Sequence, residues 1–267
     1  MSSYVRELLL PVTDIACRAG AAILEVYADA QIVATLKDDA SPLTAADLRA
    51  HRLIADALEQ LTPEIPVLSE EAATTPFSER ATWARYWLVD PLDGTKEFIS
   101  RNGQFTVNIA LIEHHAPVLG VVHVPVTATS YQGLPGTGAW CVSAAQPARE
   151  IRVSAHSAVP PRVVGSRSHR GDSLDAFLGR LGEHELLAVG SSLKFCLVAE
   201  GAADVYPRLG PTSEWDTAAA HAVVLAAGGE VYTLEGDPLR YNTHSPLLNP
   251  HFVAFGPRDH DWLALLR

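Results

Sequence analysis

Cysteine and lysine are scarce in this chain, three of each, and no apolar run is long. Cys17, Cys141 and Cys196 are scattered, odd in number and free of any Cys-x-x-Cys pair. That argues against a disulfide scaffold and fits a reducing, cytoplasmic setting. Cys196 lies inside an apolar run and reads as core rather than nucleophile. No stretch has the length of a transmembrane helix. Arg6, Glu7, Asp14 and Arg18 interrupt the first apolar pattern, so it is not a signal peptide. Peripheral association with the inner membrane stays open. The 11 histidines form no His-Glu-x-x-His, which argues against a zinc enzyme. His114-His115 reads as a solvated hairpin turn. No Gly-x-Ser-x-Gly surrounds Ser191, which argues against a serine hydrolase. Neither Gly133–Gly138 nor Gly94-Thr95-Lys96 completes a P-loop. Repeats and low-complexity segments are absent. A net charge of −11 argues against a nucleic-acid partner.

What is present is a 267-residue chain, 48% hydrophobic and 19% charged, with ample material for a core. Residues 4–28 carry apolar side chains at helical spacing: Val5, Leu8, Leu9, Val12, Ile15, Ala16, Ala19 and Ile23. Residues 44–61 read as a second helix with Leu48, Leu53, Ile54 and Leu58 inward. From 86 to about 142 the pattern is β, with strands at 106–112 and 118–124 around a turn at 114–117. Val159-Pro160-Pro161 reads as a hinge between an N-terminal metal-binding lobe, 1–158, and a C-terminal substrate lobe, 159–267. The second lobe alternates strand and helix over 162–166, 172–182, 185–189, 191–201, 203–206, 216–228 and 230–233. Spacing alone gives an α/β (α+β) fold with mixed sheets.

The chemistry concentrates in Asp90-Pro91-Leu92-Asp93-Gly94-Thr95, delivered by the apolar run Tyr86-Trp87-Leu88-Val89. A strand ending in this turn fans two carboxylates out at its tip. Hard divalent cations such as Mg²⁺ take oxygen ligands, commonly one or two carboxylates plus substrate phosphate. Pro91 fixes the backbone so that the Leu92 carbonyl turns toward an ion, Gly94 permits the sharp exit, and Thr95 adds a hydroxyl. Ser69-Glu70-Glu71 follows another short apolar run. Glu214-Trp215-Asp216 precedes a small-residue helix ended by Gly228-Gly229, where Asp216 is of the favoured N-cap type. The polar loop 37–47 leads into the second helix, with Asp47 in its first turn. Each segment has an ordinary explanation as a turn or a cap. Together they sit at strand ends and helix starts, where functional sites are built.

Glu70-Glu71, then Asp90-Pro91-Leu92-Asp93-Gly94-Thr95, then Trp215-Asp216-Thr217-Ala218-Ala219 resemble the signature of a phosphatase superfamily. It is the lithium-sensitive, magnesium-dependent phosphomonoesterase superfamily of inositol monophosphatase and fructose-1,6-bisphosphatase, and the resemblance spans essentially the whole chain. Lys96-Glu97-Phe98, the run from Arg101 to Leu111, Ser166-Arg167-Ser168-His169, Gly190–Gly201 and Ala203–Arg208 are most similar to its bacterial 3'(2'),5'-bisphosphate nucleotidase branch. The resemblance implies a layered α/β/α/β/α sandwich. It also implies hydrolysis of adenosine 3',5'-bisphosphate to AMP and phosphate, with 3'-phosphoadenylyl sulfate as a further substrate and a place in sulfur metabolism.

The resemblance implies roles residue by residue. A first Mg²⁺ falls to Glu70, Asp90 and the Leu92 carbonyl, and a second to Asp90, Asp93 and Asp216. A third, weaker ion belongs near Glu70 with mostly water ligands. Two ions bridged by Asp90 would clamp one phosphoryl group and activate an in-line water. Asp47, Thr95 and Glu70 form the catalytic group, with Thr95 and Asp47 orienting the water and taking its proton. No phosphoenzyme is required. Gly94, Thr95, His169, Ser191, Lys194, Arg208 and Asp216 are the substrate contacts. Lysine occurs only at 37, 96 and 194, all within these segments. The acidic chain can hold a polyanion because bound cations invert the local charge. The partner is then a small nucleotide bisphosphate, and the assembly a monomer or homodimer. Rival readings are an inositol monophosphatase or fructose-1,6-bisphosphatase and, from another class, a non-catalytic nucleotide or Mg²⁺ sensor. The placement of Asp47 and Thr95 argues against the sensor.

Overall fold

The computed structural model describes residues 3–29, 34–36, 42–143, 145–166 and 172–266. Helix α1 (Ser3–Tyr27) buries the apolar stripe its spacing predicts, from Val5 to Ile23. β1 (Ala34–Leu36) and β2 (Pro42–Thr44) pair antiparallel and lead into α2 (Ala45–Leu61). The inward face of α2 differs from expectation. It buries Ala46, Ala50, Ile54 and Leu58, while Leu48 is 36% exposed and Leu53 half-buried. An i, i+4 stripe that begins on small alanines lets the helix lie close to the sheet, which turns Leu48 outward.

β3 (Val67–Ser69), α3 (Phe77–Arg80), β4 (Arg85–Asp93), α4 (Thr95–Ile99), β5 (Thr106–Glu113), β6 (Ala116–Val124), β7 (Thr129–Leu134), β8 (Gly138–Ser143) and β9 (Gln146–Ile151) follow. Their strands build a seven-stranded sheet in sequence order, antiparallel except for the parallel β3–β4 pair. The next elements are β10 (Arg162–Ser166), α5 (Asp172–Leu181), β11 (Glu185–Val189), α6 (Leu193–Ala199), β12 (Val205–Arg208), α7 (Ala218–Ala226), β13 (Glu230–Thr233) and β14 (Phe252–Phe255). They build a mixed five-stranded sheet of order β11-β10-β12-β14-β13. β9 and β14 carry no sequence signal strong enough to predict. Phe252-Val253-Ala254-Phe255 is too short to show a period, and only pairing with β12 and β13 makes it a strand. α6 and α7 are also shorter than the apolar runs that contain them.

The layers stack as α1 and α2, the seven-stranded sheet, α6 and α7, the five-stranded sheet, and α5. One apolar cluster lies between α1, α2 and the first sheet, one around α6 and α7, and one under α5. The expected five-layer α/β sandwich is therefore what the chain forms. Two glycines seat α7. Gly120 and Gly133 face each other across β6 and β7. A Cβ on Gly120 would collide with the Ala219 carbonyl, and one on Gly133 would stand 2.5 Å from the Val223 Cα. This close seat sets where the segment before α7, with Asp216, meets the ends of β4 and β5. Among the described residues no helix is long and apolar enough to cross a membrane. His115 also differs from expectation. It is half-buried and its Nδ1 lies 2.8 Å from the Tyr241 carbonyl, while His114 is exposed.

Candidate active site

The acidic turn is the C-terminal tip of β4. Asp90 pairs with Asn108 and Asp93 with Thr106 on β5, and the register slips between them. The slip accommodates Pro91-Leu92, and the Leu92 N–H donates to Asp90 Oδ1 at 3.0 Å. β3 runs parallel beside β4 with Ser69 opposite Val89. Glu70 therefore leaves its strand next to Asp90. Gly94 follows in the left-handed region at φ 91° and starts α4. A Cβ there would lie 3.1 Å from the Gln104 carbonyl oxygen and 3.3 Å from Ser191 Cβ. Only glycine combines that backbone with that approach.

Asp47 and Thr95 meet although they are far apart in sequence. Thr44 caps α2 and forms a capping box with Asp47. Asp47 Oδ2 accepts from the Thr44 N–H at 2.8 Å and from Thr44 Oγ1 at 2.6 Å. Its other oxygen, Oδ1, lies 3.3 Å from Thr95 Oγ1, which is also 3.4 Å from the Leu92 carbonyl. The box locks the carboxylate so that one oxygen points at Thr95.

The third wall comes from the far sheet. Ser191 has φ 48°, and its buried Oγ has no hydrogen-bond partner. The Ser192 N–H donates to Asp93 Oδ2 at 2.5 Å. Lys194, 7% exposed, donates to the Ser191 carbonyl at 2.5 Å and stands over the Tyr206 ring. Arg208 ends β12, bonds the Pro211 carbonyl, and leaves its Nε buried without a partner. Asp216 Oδ2 accepts from Thr212 Oγ1 at 2.8 Å and the Ser213 N–H at 2.9 Å. These residues line a cleft of about 210 Å³ together with Asp93, Gly94 and Thr95. Asp216 is not the helix cap its position predicts. The cap residue of α7 is Thr217, and the Asp216 side chain bonds backward. His169 and the Lys37-Asp38-Asp39 part of the polar loop lie outside the described residues.

The electrostatics are those of crowded carboxylates. Burial pushes the Asp90 carboxyl well above its usual range, and the charges of Glu70, Asp93 and Asp216 push it further. Asp93 is raised to about 7, chiefly by burial and then by Asp216, against the pull of Lys194 and the Ser192 N–H. Burial raises Asp216 too, opposed by its bonds from Thr212 and Ser213. Burial lowers Lys194 to about 8, although Asp93 and Glu97 favour its charge.

The sequence profile of the inositol monophosphatase family matches residues 5–264. The chain belongs to the inositol monophosphatase family. It is 52% identical over 246 residues to the 3'(2'),5'-bisphosphate nucleotidase CysQ of Salmonella typhimurium strain LT2, covering 92% of this chain and 98% of that protein. Identity to the CysQ of Haemophilus influenzae is 38% over 268 residues, covering 100% and 99%. The crystal structure of CysQ from Bacteroides thetaiotaomicron superposes with a TM-score of 0.84 at 41% identity, covering 97% of this chain and 100% of that one. An inositol monophosphatase from Anabaena sp. PCC 7120 shares the fold, with a TM-score of 0.76 at 24% identity over 99% and 96% of the chains. The resemblance read from the carboxylate motifs is borne out.

The donor set fits the divalent cation expected of this family. Carboxylates that raise one another's pKa in a buried site are a negative charge awaiting a counter-charge. Among the described residues no three acidic, histidine or cysteine side chains close into a cage. Mg²⁺ keeps waters and substrate oxygens and needs few protein ligands, so an open set suits it. Sequence reading missed the layer beneath. Ser192 Oγ is 2.8 Å from both Thr106 Oγ1 and Asn108 Oδ1. Thr106 and Asn108 are the strand partners of Asp93 and Asp90. A signal existed: Thr106 and Asn108 are polar at alternate positions at the start of a strand that is apolar from Ile109 to Ile112.

Proposed function

We propose that this chain hydrolyses the 3'-phosphate of adenosine 3',5'-bisphosphate, giving AMP and phosphate, with Mg²⁺ as cofactor. The observation that carries the reading is the cluster of Glu70, Asp90, Asp93 and Asp216, of which Asp93 and Asp216 line a cleft that also holds Lys194 and Arg208. Phosphoryl transfer needs cations around the reacting group and a fixed nucleophile. The names of the CysQ relatives support the substrate, and 3'-phosphoadenylyl sulfate carries the same 3'-phosphate.

Glu70, Asp90, Asp93, Asp216 and the Leu92 carbonyl would hold two ions, and a third, weaker one would belong near Glu70. Mg²⁺ supplies neutralisation of the phosphoryl oxygens and acidification of an attacking water when bound. The chain's own groups do the rest. Thr95 Oγ1 donates to Asp47 and keeps its lone pairs for a water hydrogen, which fixes the water's direction. Asp47 takes the proton through Thr95, its carboxylate held still by Thr44. Lys194 and Arg208 bind the phosphate that is not cleaved, and the unpartnered Ser191 hydroxyl bonds it or the ribose. Three free cysteines support a reducing, cytoplasmic location.

The test is phosphate release from adenosine 3',5'-bisphosphate with Mg²⁺ and with EDTA, beside inositol 1-phosphate and fructose 1,6-bisphosphate. The expected result is strong preference for the nucleotide, abolished by EDTA. Preference for a sugar or inositol phosphate would overturn the assignments of Ser191, Lys194 and Arg208 and leave the metal carboxylates standing.

A further inference from the structure

Glu214 opens the Glu-Trp-Asp motif but does not line the cleft. Its side chain is 0% exposed and accepts the Asn242 N–H with both oxygens at 2.9 Å. Arg80, 2% exposed at the end of α3, donates to Asn242 Oδ1 and to the carbonyls of His244 and Ser245. The Asn242 side-chain N–H returns a bond to the Arg80 carbonyl at 2.6 Å. An acid and a base are thus sealed in the interior and joined through one asparagine. Burying charges costs more than their attraction commonly returns, so such a pair is weak as a source of stability. Its connections point to another role.

On one side the pair grips the segment that carries Asp216. The Glu214 carbonyl accepts from the Ala218 N–H and from Thr217 Oγ1, both at 3.1 Å, and so starts α7. The loop that contains Asn242 is stitched to the same segment. Asn249 donates to the Thr212 and Ser213 carbonyls at 2.9 and 2.8 Å, and the Glu214 N–H to the Leu247 carbonyl at 2.9 Å. On the other side Arg80 belongs to the helix that follows the Glu70 turn and precedes β4. One buried Arg–Asn–Glu chain therefore ties the segment that leads into Asp216 to the stretch of chain between Glu70 and β4.

We propose that Arg80 and Glu214 are positioning residues: linked through Asn242, they fix the Asp216 segment against the Glu70–β4 segment and so set the spacing of the carboxylates that receive the divalent cations. This rests on the metal reading given above. Removing the charge relation without removing the volume should loosen the spacing and weaken ion binding, while the substrate side of the cleft is left alone.

Mn²⁺ is the probe. Its binding to the full-length wild type, Glu214→Gln, Arg80→Met and the double variant is measured by titration calorimetry, beside circular dichroism and thermal unfolding without metal. Glu214→Gln should stay folded and bind Mn²⁺ at least tenfold more weakly. Its turnover should fall at low Mg²⁺ and recover with excess Mg²⁺, with the nucleotide KM at saturating Mg²⁺ within twofold of wild type. The double variant should be more stable than Arg80→Met, since no unpaired charge is buried, yet keep the weak Mn²⁺ binding. A merely structural pair would restore both together. Should Arg80→Met fail to fold, Glu214→Gln decides. Wild-type Mn²⁺ affinity in Glu214→Gln overturns the positioning role. Absence of Mn²⁺ binding by the wild type overturns the metal reading and this inference with it.

Discussion

Replacing Asp93 by Asn should make the metal-free protein more stable and the enzyme inactive. In the fold its carboxyl is raised from 3.8 to about 7, with burial as the leading cause and Asp216 second. A raised carboxyl pKa favours the protonated fold. The penalty on the native state is therefore absent below 3.8, grows as pH rises to about 7, and is complete above that. At 1.36 kcal/mol per pKa unit, the displacement corresponds to about 4 kcal/mol. Asp93 is only half-buried, and cleft water screens part of this, so about 2 kcal/mol is the working figure. Asn keeps an oxygen for the Ser192 N–H, so the local hydrogen bond survives. In a chain of this size such a gain raises Tm by roughly 4–8 °C. The assay is urea and thermal unfolding in EDTA from pH 5 to 8, then repeated with Mg²⁺, beside phosphate release. Wild type should gain stability from Mg²⁺, because ligands that bind only the native state stabilise it. The variant should be the more stable of the two in EDTA at pH 8, respond little to Mg²⁺, and lose turnover by at least a hundredfold. If Asp93→Asn is less stable than wild type in EDTA at pH 8, or turns over within tenfold of it, the crowded-carboxylate reasoning is wrong.

Gly94→Ala should cost about 1–2 kcal/mol of stability, the usual strain of a side chain at positive φ, and more than tenfold in turnover, because the added Cβ presses on Gln104 and Ser191; chemical denaturation and phosphate release check both. Thr95→Val should lower turnover about 10²-fold with little change in nucleotide affinity, whereas Thr95→Ser retains most of it, since only the hydroxyl links the water to Asp47; equal loss in both variants would refute that role. His221 is lowered to about 3 by burial, first of all, in a pocket where its Nδ1 is 2.9 Å from the Tyr241 hydroxyl. A depressed histidine pKa favours the neutral fold, so stability is complete above about 6.5 and falls as pH drops toward 3. At pH 5 this amounts to about 2 kcal/mol. His221→Asn should be that much less acid-sensitive than wild type between pH 7 and 5 in urea titrations.

The sequence by itself offered most of the candidate site residues and determined much of the framework under them. Asp90, Asp93, Glu70 and Asp216 were legible as candidates because carboxylates gathered at strand ends and helix starts, in the order of a family signature, say together what none says singly. α1 and most of the strands were legible because burial on one face writes a period of 3.6 or 2 into the chain. The place of Asp47 in the first turn of α2 was written there too, but that its Oδ2 turns to Thr44 and its Oδ1 to Thr95 was not. Tertiary structure alone decided what lies far apart in sequence and meets in space. It brought Thr95 to Asp47, set Ser192 against Asp93 across two sheets, and turned Asp216 away from the cap position that local preference assigns. It made β14 a strand by pairing, and it sent Leu48 outward because the alanines beside it let the helix approach the sheet. Above all it separated Glu214 from Asp216, neighbours in one motif, into a buried brace and a cleft carboxylate. Local sequence fixes which groups are present and how the backbone turns near them. Which face of each group is buried depends on partners that local periodicity does not encode.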